Sequence, residues 1–143
     1  MRHLSSLAIG CVLVLSSSAL ARDTKYLIKV SEVLEQGEGT LEADVRLFFG
    51  KQEGWKGEKR GIVTAKPTKA TGKTDEARCK SALVSALKDL QKQAHNLGGT
   101  AVVGIKSFHD DAPFSSEDEL ECHVGVFATV VELRGTIVKE AKK

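Results

Sequence analysis

Residues 74–108 read TDEARCKSALVSALKDLQKQAHNLGGTAVVGIKSF, and this stretch predicts a long helix followed by a strand. Thr74 is a predicted N-cap, and Asp75 and Glu76 place negative charge at the positive end of the helix dipole. Gly98-Gly99 predicts the end of the helix, because glycine adopts the left-handed conformation of a C-terminal cap. The apolar residues that recur at helical spacing are Cys79, Leu83, Leu87, Leu90, Ala94 and Leu97. They predict one amphipathic helix with a single face on the core.

Strands are predicted on both sides of this helix. The segment 100–108 begins almost wholly apolar, which indicates burial on both faces. Residues 120–133 predict one last long strand, in which Gly125 is a bulge or a point of close approach. Before the helix, 41–49 alternates apolar and polar side chains with the period of a half-buried strand, and 61–65 is a second apolar run. The charged, glycine-containing residues between these two runs predict a long hairpin tip that carries Trp55.

This order of elements predicts the α+β class. Strand, strand, helix, strand, strand gives a small, mostly antiparallel sheet with the long amphipathic helix packed on one face. Residues 26–34 are either a weak strand or a short helical turn, and the order of strands within the sheet stays open. Residues 22–138 are expected to form one domain, and 139–143 a basic C-terminal tail that frays.

Length and composition indicate one small exported domain. The chain has 143 residues, of which 41% are apolar and 28% charged. Residues 1–21 combine a basic start, an apolar run and Ala19-Leu20-Ala21, which predicts a cleaved signal peptide and a periplasmic protein. Cleavage leaves 122 residues with 20 basic and 19 acidic side chains. This near neutrality argues against nucleic-acid binding, and no second apolar stretch has the roughly 20 residues of a transmembrane segment.

Cys11 raises the alternative of a lipoprotein, because a small residue precedes it. Only ten residues stand before it, however, and the apolar run continues after it, whereas a lipidated cysteine normally ends that run. We therefore expect Cys11 to be removed with the signal peptide. The remaining two cysteines, Cys79 and Cys122, allow one intramolecular pairing in an oxidising compartment and predict a disulfide. Two buried thiols or a redox-active pair are the alternatives, although the chain has no Cys-x-x-Cys motif at a helix start.

Weak candidates for a metal site are His109, Asp110, Asp111 and His123. Glu121-Cys122-His123 contains three types of metal-ligating side chain, but neighbours on a strand point to opposite faces, so Cys122 and His123 are not expected to converge. The acidic segment 109–121 lacks the ligand spacing of a calcium loop and is as well explained by solvation. We therefore predict no resident metal and no cofactor.

Charge is distributed unevenly along the chain. Residues 51–80 contain nine basic and four acidic side chains, whereas 109–121 contains six acidic side chains and neither lysine nor arginine. Opposite charges of this kind favour docking to an envelope protein or a homo-oligomer. The candidate contact residues are Trp55, Lys56, Lys59 and Arg60, since an aromatic side chain on an exposed tip is typical of interface anchors.

No motif in the sequence predicts catalysis. A Gly-x-Ser-x-Gly elbow and a Walker phosphate loop are both missing. Ser81 and Ser85 lie on the predicted helix without an adjacent histidine, so a hydrolase triad is unsupported. His95, near the helix end, is better explained by the helix dipole than by acid–base chemistry. The sequence therefore predicts no catalytic residues and a protein that is not an enzyme.

Four segments together resemble a family of small exported Gram-negative proteins of unknown function, some of which carry an excinuclease-subunit label. These segments are 74–79, 83–87, 94–103 and 121–125. The chain lacks the nucleotide-binding motifs and zinc-ligand pairs that such a repair ATPase needs. LGGTAVV at 97–103 is also similar to the YbjQ and RcsF group, where relatives have LGANAVV. This resemblance implies a helix packed on a small sheet and a place in the cell envelope.

The sequence thus favours a non-enzymatic periplasmic domain that acts through protein–protein contacts, in envelope maintenance or stress response. The alternative is a periplasmic module that binds a metal or a small ligand through His109, His123 and nearby carboxylates.

Overall fold

The computed structural model describes residues 22–51 and 55–142, and it has the predicted α+β architecture. The predicted signal peptide and Cys11 lie outside the described residues. The elements, in chain order, are β1 (Asp23–Lys29), α1 (Val30–Gln36), β2 (Arg46–Phe49), β3 (Glu58–Ala65), α2 (Asp75–Asn96), β4 (Ala101–His109), β5 (Ala112–Phe114), β6 (Glu119–Gly125), β7 (Thr129–Val130) and β8 (Leu133–Lys139). The ambiguous segment 26–34 is therefore both a strand end and a short helix.

Helix α2 has the predicted boundaries. The Thr74 hydroxyl oxygen accepts a hydrogen bond from the Ala77 amide at 3.1 Å, which satisfies one of the free donors of the first turn. The helix ends before Gly98, whose φ of +67° is the left-handed conformation that glycine adopts without strain. The predicted apolar stripe is buried except at Leu97, which is 41% exposed. Helix α2 is therefore amphipathic and lies on the core, as the sequence predicts.

Two sheets share this core. The larger sheet has the strand order β2-β4-β8-β3, with β5 paired to β4, and the smaller has the order β1-β6-β7. All pairs are antiparallel except β2 with β4. Helix α2 contacts strands of both sheets, so its apolar stripe joins them into one core. Within the described part of the chain, neither helix has both the length and the apolar character of a membrane span.

The hairpin predicted from 41–49 and 61–65 does not form. Strand β2 contains only Arg46–Phe49 and pairs with β4, whereas β3 pairs with β8. The residues just before β2 are held by Gln91, a buried residue of α2. Its amide accepts from the Glu42 amide at 2.9 Å and donates to the carbonyls of Glu42 and Val45 at 2.8 and 2.9 Å. The Gln91 side chain thus forms hydrogen bonds with backbone groups of Glu42 and Val45 that would otherwise pair with a neighbouring strand.

The single strand predicted over 120–133 is also wrong. Strand β6 ends at Gly125, whose amide donates to the Ala128 carbonyl at 2.7 Å and closes a turn. After β7 the chain enters β8 at Leu133, and Lys139 still pairs with Glu58 across the sheet. The Glu140 amide then donates to the Thr100 hydroxyl at 2.9 Å. The first two residues of the predicted frayed tail, Lys139 and Glu140, are therefore bound to the rest of the fold.

Candidate functional site

Strand β6 presents two chemically different faces. Leu120, Cys122 and Val124 are buried on the core side, where Cys122 forms a disulfide with Cys79 of α2. Both cysteines are fully buried. Glu121 and His123 alternate with them and lie on the other face, because successive side chains of a strand point in opposite directions. The structure thus confirms the predicted pairing of the cysteines and the predicted separation of Cys122 from His123.

A cluster of imidazoles and carboxylates covers the outer face of the smaller sheet. The antiparallel register places Lys25 opposite His123, so Asp23 lies on the same face, diagonally across from His123. The end of β4 brings His109 onto this face. The rings of His109 and His123 stack with their centroids 3.4 Å apart and an angle of 4° between their planes.

Asp23 connects the two imidazoles. Its Oδ1 lies 2.9 Å from His123 Nδ1, and its Oδ2 lies 3.3 Å from His109 Nε2. The hydrogen bond with His123 holds the pKa of the Asp23 carboxyl below its usual range. On the far side of the ring, His123 Nε2 lies 2.5 Å from Glu121 Oε1. Both nitrogens of His123 therefore face a carboxylate.

Two of the four predicted metal candidates are not ligands in this cluster. The residues that could hold one metal ion together are Asp23, His109 and His123, which we call the Asp-His-His cluster. Asp110 and Asp111 instead form the tight turn between β4 and β5, both with positive φ. Asp111 contacts Arg134 at 3.1 Å. The Asp110 side chain is 91% exposed, and its Oδ2 lies 3.4 Å from His109 Nε2. Asp110 therefore adjoins the cluster through His109, whereas Asp111 pairs with Arg134.

The Asp-His-His cluster borders an open groove of about 510 Å³. The groove is lined on one side by residues 108–111 and on the other by 66–68 and 129–132. His109 belongs to both the cluster and the groove wall. A molecule in this groove can consequently reach the exposed edge of the cluster, whereas His123 is only 8% exposed.

A second group of possible ligands lies at the end of α2. It consists of Glu42, Asp44 and His95, all exposed. His95 contacts Glu42 and lies 3.5 Å from Asp44, in addition to its predicted position in the last turn of the helix. No buried group supports these side chains as Glu121 supports His123, so this group serves below as a control site.

The predicted contact residue Trp55 is not on an exposed hairpin tip. It is half-buried and packs edge to face on Phe48, with ring centroids 4.6 Å apart. These two rings cover a small apolar cluster of Ala101, Val103 and Val138 on the larger sheet. Of the neighbouring cations, Lys56 and Lys59 are exposed, and Arg60 forms an ion pair with Glu58 at 3.1 Å. Trp55 therefore has an apolar cluster to fill, contrary to the prediction.

The turn between β6 and β7, Val126–Phe127–Ala128, carries the exposed aromatic that the sequence interpretation missed. Phe127 is fully exposed and Val126 is 65% exposed. The turn borders a groove of about 630 Å³ that is also lined by 68–71 and Arg78. The sequence predicts a bulge or a close approach at Gly125. The turn was nevertheless missed, because the apolar residues on either side of Gly125 continue the strand pattern.

Comparisons of the chain with protein-family models, with curated proteins and with solved structures gave no match. The resemblance to the YbjQ and RcsF group therefore stays a prediction, and the candidate sites rest on their own geometry.

Proposed function

We propose that this protein is an exported, non-enzymatic domain that acts in the cell envelope by binding another protein through the β6–β7 turn. The observation that supports it most is the complete exposure of Phe127 at the tip of a turn closed by a backbone hydrogen bond. A phenylalanine that makes no buried contact adds little to folding, whereas burying its ring in a partner contributes about 1.5–3 kcal/mol.

The turn is well placed to act as a rigid anchor. Strand β6 leads into it, and the disulfide at Cys122 fixes that strand to α2 three residues before Gly125. A rigid contact residue binds more tightly than a mobile one, because less conformational entropy is lost on association. The disulfide forms in an oxidising compartment, so export of the protein is what would allow the turn to be held in this way.

The groove beside Phe127 indicates the chemistry of the partner. Its lining contains two cations, Lys69 and Arg78, and no carboxylate. Arg78 is also held by Asp75 at the start of α2. We therefore expect the partner to present an apolar pocket for the Phe127 ring with acidic side chains at its rim. This surface replaces Trp55 as the proposed centre of contact.

The environment of the helix serines favours a binding role over hydrolysis. The Ser81 hydroxyl donates to the Arg78 carbonyl and the Ser85 hydroxyl to the Ser81 carbonyl, both at 3.0 Å. A hydroxyl that donates to its own helix is not positioned as a nucleophile beside a base. The proposed role in envelope maintenance or stress response rests on the predicted export, the disulfide, the segregated charge and the lack of a catalytic motif in the sequence.

Phe127→Ser is expected to weaken binding to the partner by about 30-fold, as the loss of a central aromatic anchor does at other interfaces. The measurement is affinity for proteins of a periplasmic extract, with the mature wild-type chain as bait, followed by titration of each captured protein against both forms. Ile62→Ser is the matched control, because Ile62 is 68% exposed on β3 and is not among the residues that line the groove beside the turn.

The proposal fails if a captured protein binds Phe127→Ser and wild type equally well. It also fails if Ile62→Ser weakens the binding of that protein as much as Phe127→Ser does. It also fails if the wild-type chain binds lipid vesicles through Phe127 in the absence of any protein, since the turn would then be a membrane contact. Thermal unfolding of both variants within about 1 °C of wild type excludes a folding defect.

A further inference from the structure

We infer that Asp23, His109 and His123 form a binding site for one divalent transition-metal ion of the zinc type. This inference does not depend on the protein contact proposed above, because it concerns residues on the outer face of the smaller sheet and none of the β6–β7 turn. It rests on the positions of the three side chains and on the support that Glu121 gives to one of them.

Each histidine nitrogen lies close to a carboxylate oxygen of Asp23. Tetrahedral zinc with bonds of about 2.0–2.1 Å places its ligand atoms about 3.3 Å apart. Here Asp23 Oδ2 lies 3.3 Å from His109 Nε2, and Asp23 Oδ1 lies 2.9 Å from His123 Nδ1. The three candidate ligand atoms all lie within 4.8 Å of one another. The three side chains are therefore close enough for side-chain movements to bring them to a common ion.

Glu121 prepares His123 to be a ligand. The Glu121 carboxylate lies 2.5 Å from His123 Nε2 and is itself within 3.6 Å of the Lys25 ammonium. When an ion replaces the Nδ1 proton that hydrogen-bonds to Asp23, Nε2 keeps its proton on Glu121 and the Nδ1 lone pair coordinates the ion. Carboxylates commonly support metal-binding histidines in this way, by fixing the tautomer and the ring orientation. Glu121 and His123 side chains are each only 10% exposed, so this arrangement is held within the fold.

The ligand set determines the class of ion. Two imidazoles and one carboxylate suit zinc, nickel and copper, whereas calcium takes six to eight oxygen ligands. Three protein ligands leave a fourth position, as in zinc sites that bind water or a small molecule. His109 also lines the open groove of about 510 Å³, which gives that fourth ligand access.

Binding must alter the stacked pair of rings. The His109 and His123 planes are parallel, with centroids 3.4 Å apart, so an ion that contacts both nitrogens cannot lie in both planes. We therefore expect one imidazole, the more exposed His109, to tilt on binding. This movement provides a readout that is independent of affinity, because it changes the chemical shifts of both histidine rings.

The test is isothermal titration calorimetry of the untagged, oxidised chain with zinc chloride. The expected result is one ion per chain with an affinity in the micromolar range or tighter. Asp23→Asn and His109→Gln should each weaken binding at least 10-fold, and Glu121→Gln should weaken it about 10- to 100-fold. Asp44→Asn and His95→Gln are the matched controls, from the exposed group at the end of α2, and should leave the affinity unchanged.

Nuclear magnetic resonance of the histidine ring signals completes the experiment. Zinc should shift the signals of His109 and His123 and leave that of His95 in place. The inference is overturned if zinc produces no heat, if Asp23→Asn binds as tightly as wild type, or if His95→Gln abolishes binding. It is also overturned if calcium binds at the same three residues as tightly as zinc. His123 is buried, and replacing it could prevent folding. The test therefore uses variants of Asp23 and His109, which are not buried.

Discussion

Replacing Cys79 and Cys122 together by alanine is expected to lower the free energy of unfolding by about 4 kcal/mol. The disulfide spans 43 residues and joins α2 to β6, so it restricts the unfolded chain more than a short loop would. Small domains have a net stability of about 5–15 kcal/mol, so the double variant should lose a large part of its stability. The measurement is urea unfolding of the wild type and the double variant, followed by fluorescence of Trp55.

A reducing agent provides the control for this prediction. It should shift the unfolding midpoint of wild type towards that of the double variant and leave the double variant unchanged. A difference of less than about 1 kcal/mol between wild type and double variant would contradict the structural role of the disulfide. Two titratable thiols in the denatured protein, purified without reductant from the periplasm, would contradict the pairing itself.

Leu87→Ala is expected to destabilise the protein by about 3 kcal/mol, whereas Leu97→Ala should cost less than about 1 kcal/mol. Both leucines belong to the same apolar stripe in the sequence. Leu87 is fully buried between the helix and the sheets, but Leu97 is 41% exposed beyond the last turn of α2. Deleting buried methyl groups removes transfer free energy and leaves a cavity, and neither cost applies in full to Leu97.

The same urea experiment measures this pair, with the oxidised wild type as the reference for both variants. Equal destabilisation by the two substitutions would show that Leu97 is packed in the core as fully as Leu87. It would contradict the exposure of Leu97 in this structure. The ratio of the two effects thus tests the packing of α2 independently of the disulfide.

Much of the central helix and its boundaries could be predicted from sequence, because the deciding interactions are local. Thr74 caps the helix three residues before its amide donor, and Gly98 ends it through its own backbone conformation. The apolar spacing of α2 likewise depends only on the period of the helix. The extended character of β4 follows from its apolar start in the same way, since those residues are buried on both faces.

The errors occur where a distant residue decides the local structure. The alternating pattern of 41–45 is that of a strand, but Gln91, more than 45 residues away, binds its backbone. A buried glutamine on an apolar stripe carries no sequence signal for which backbone it will bind. Trp55 was misplaced for a similar reason, because its partner Phe48 belongs to a strand that pairs with β4 and not with β3.

The residues of the candidate sites differ in the same way: some follow from the local pattern, and others depend on distant pairing. The opposite orientation of Cys122 and His123 follows from strand alternation and was predictable. Asp23, however, joins His123 across 100 residues, and only the register of β1 with β6 places the two side chains together. Asp23 could be proposed only once that pairing was known. Strand β6 thus carries the disulfide on one face, the Asp-His-His cluster on the other and the Phe127 turn at its end.

Photo-crosslinking in living cells tests the proposed protein contact most directly. A photoreactive amino acid is placed at position 127 in one variant and at position 62 in the other, since both positions are exposed. The account predicts one discrete crosslinked protein from position 127, which is not obtained from position 62 and which binds the purified wild-type chain. Crosslinks from position 127 to lipid alone, or identical adducts from both positions, would contradict the claim that Phe127 is the centre of a specific protein interface.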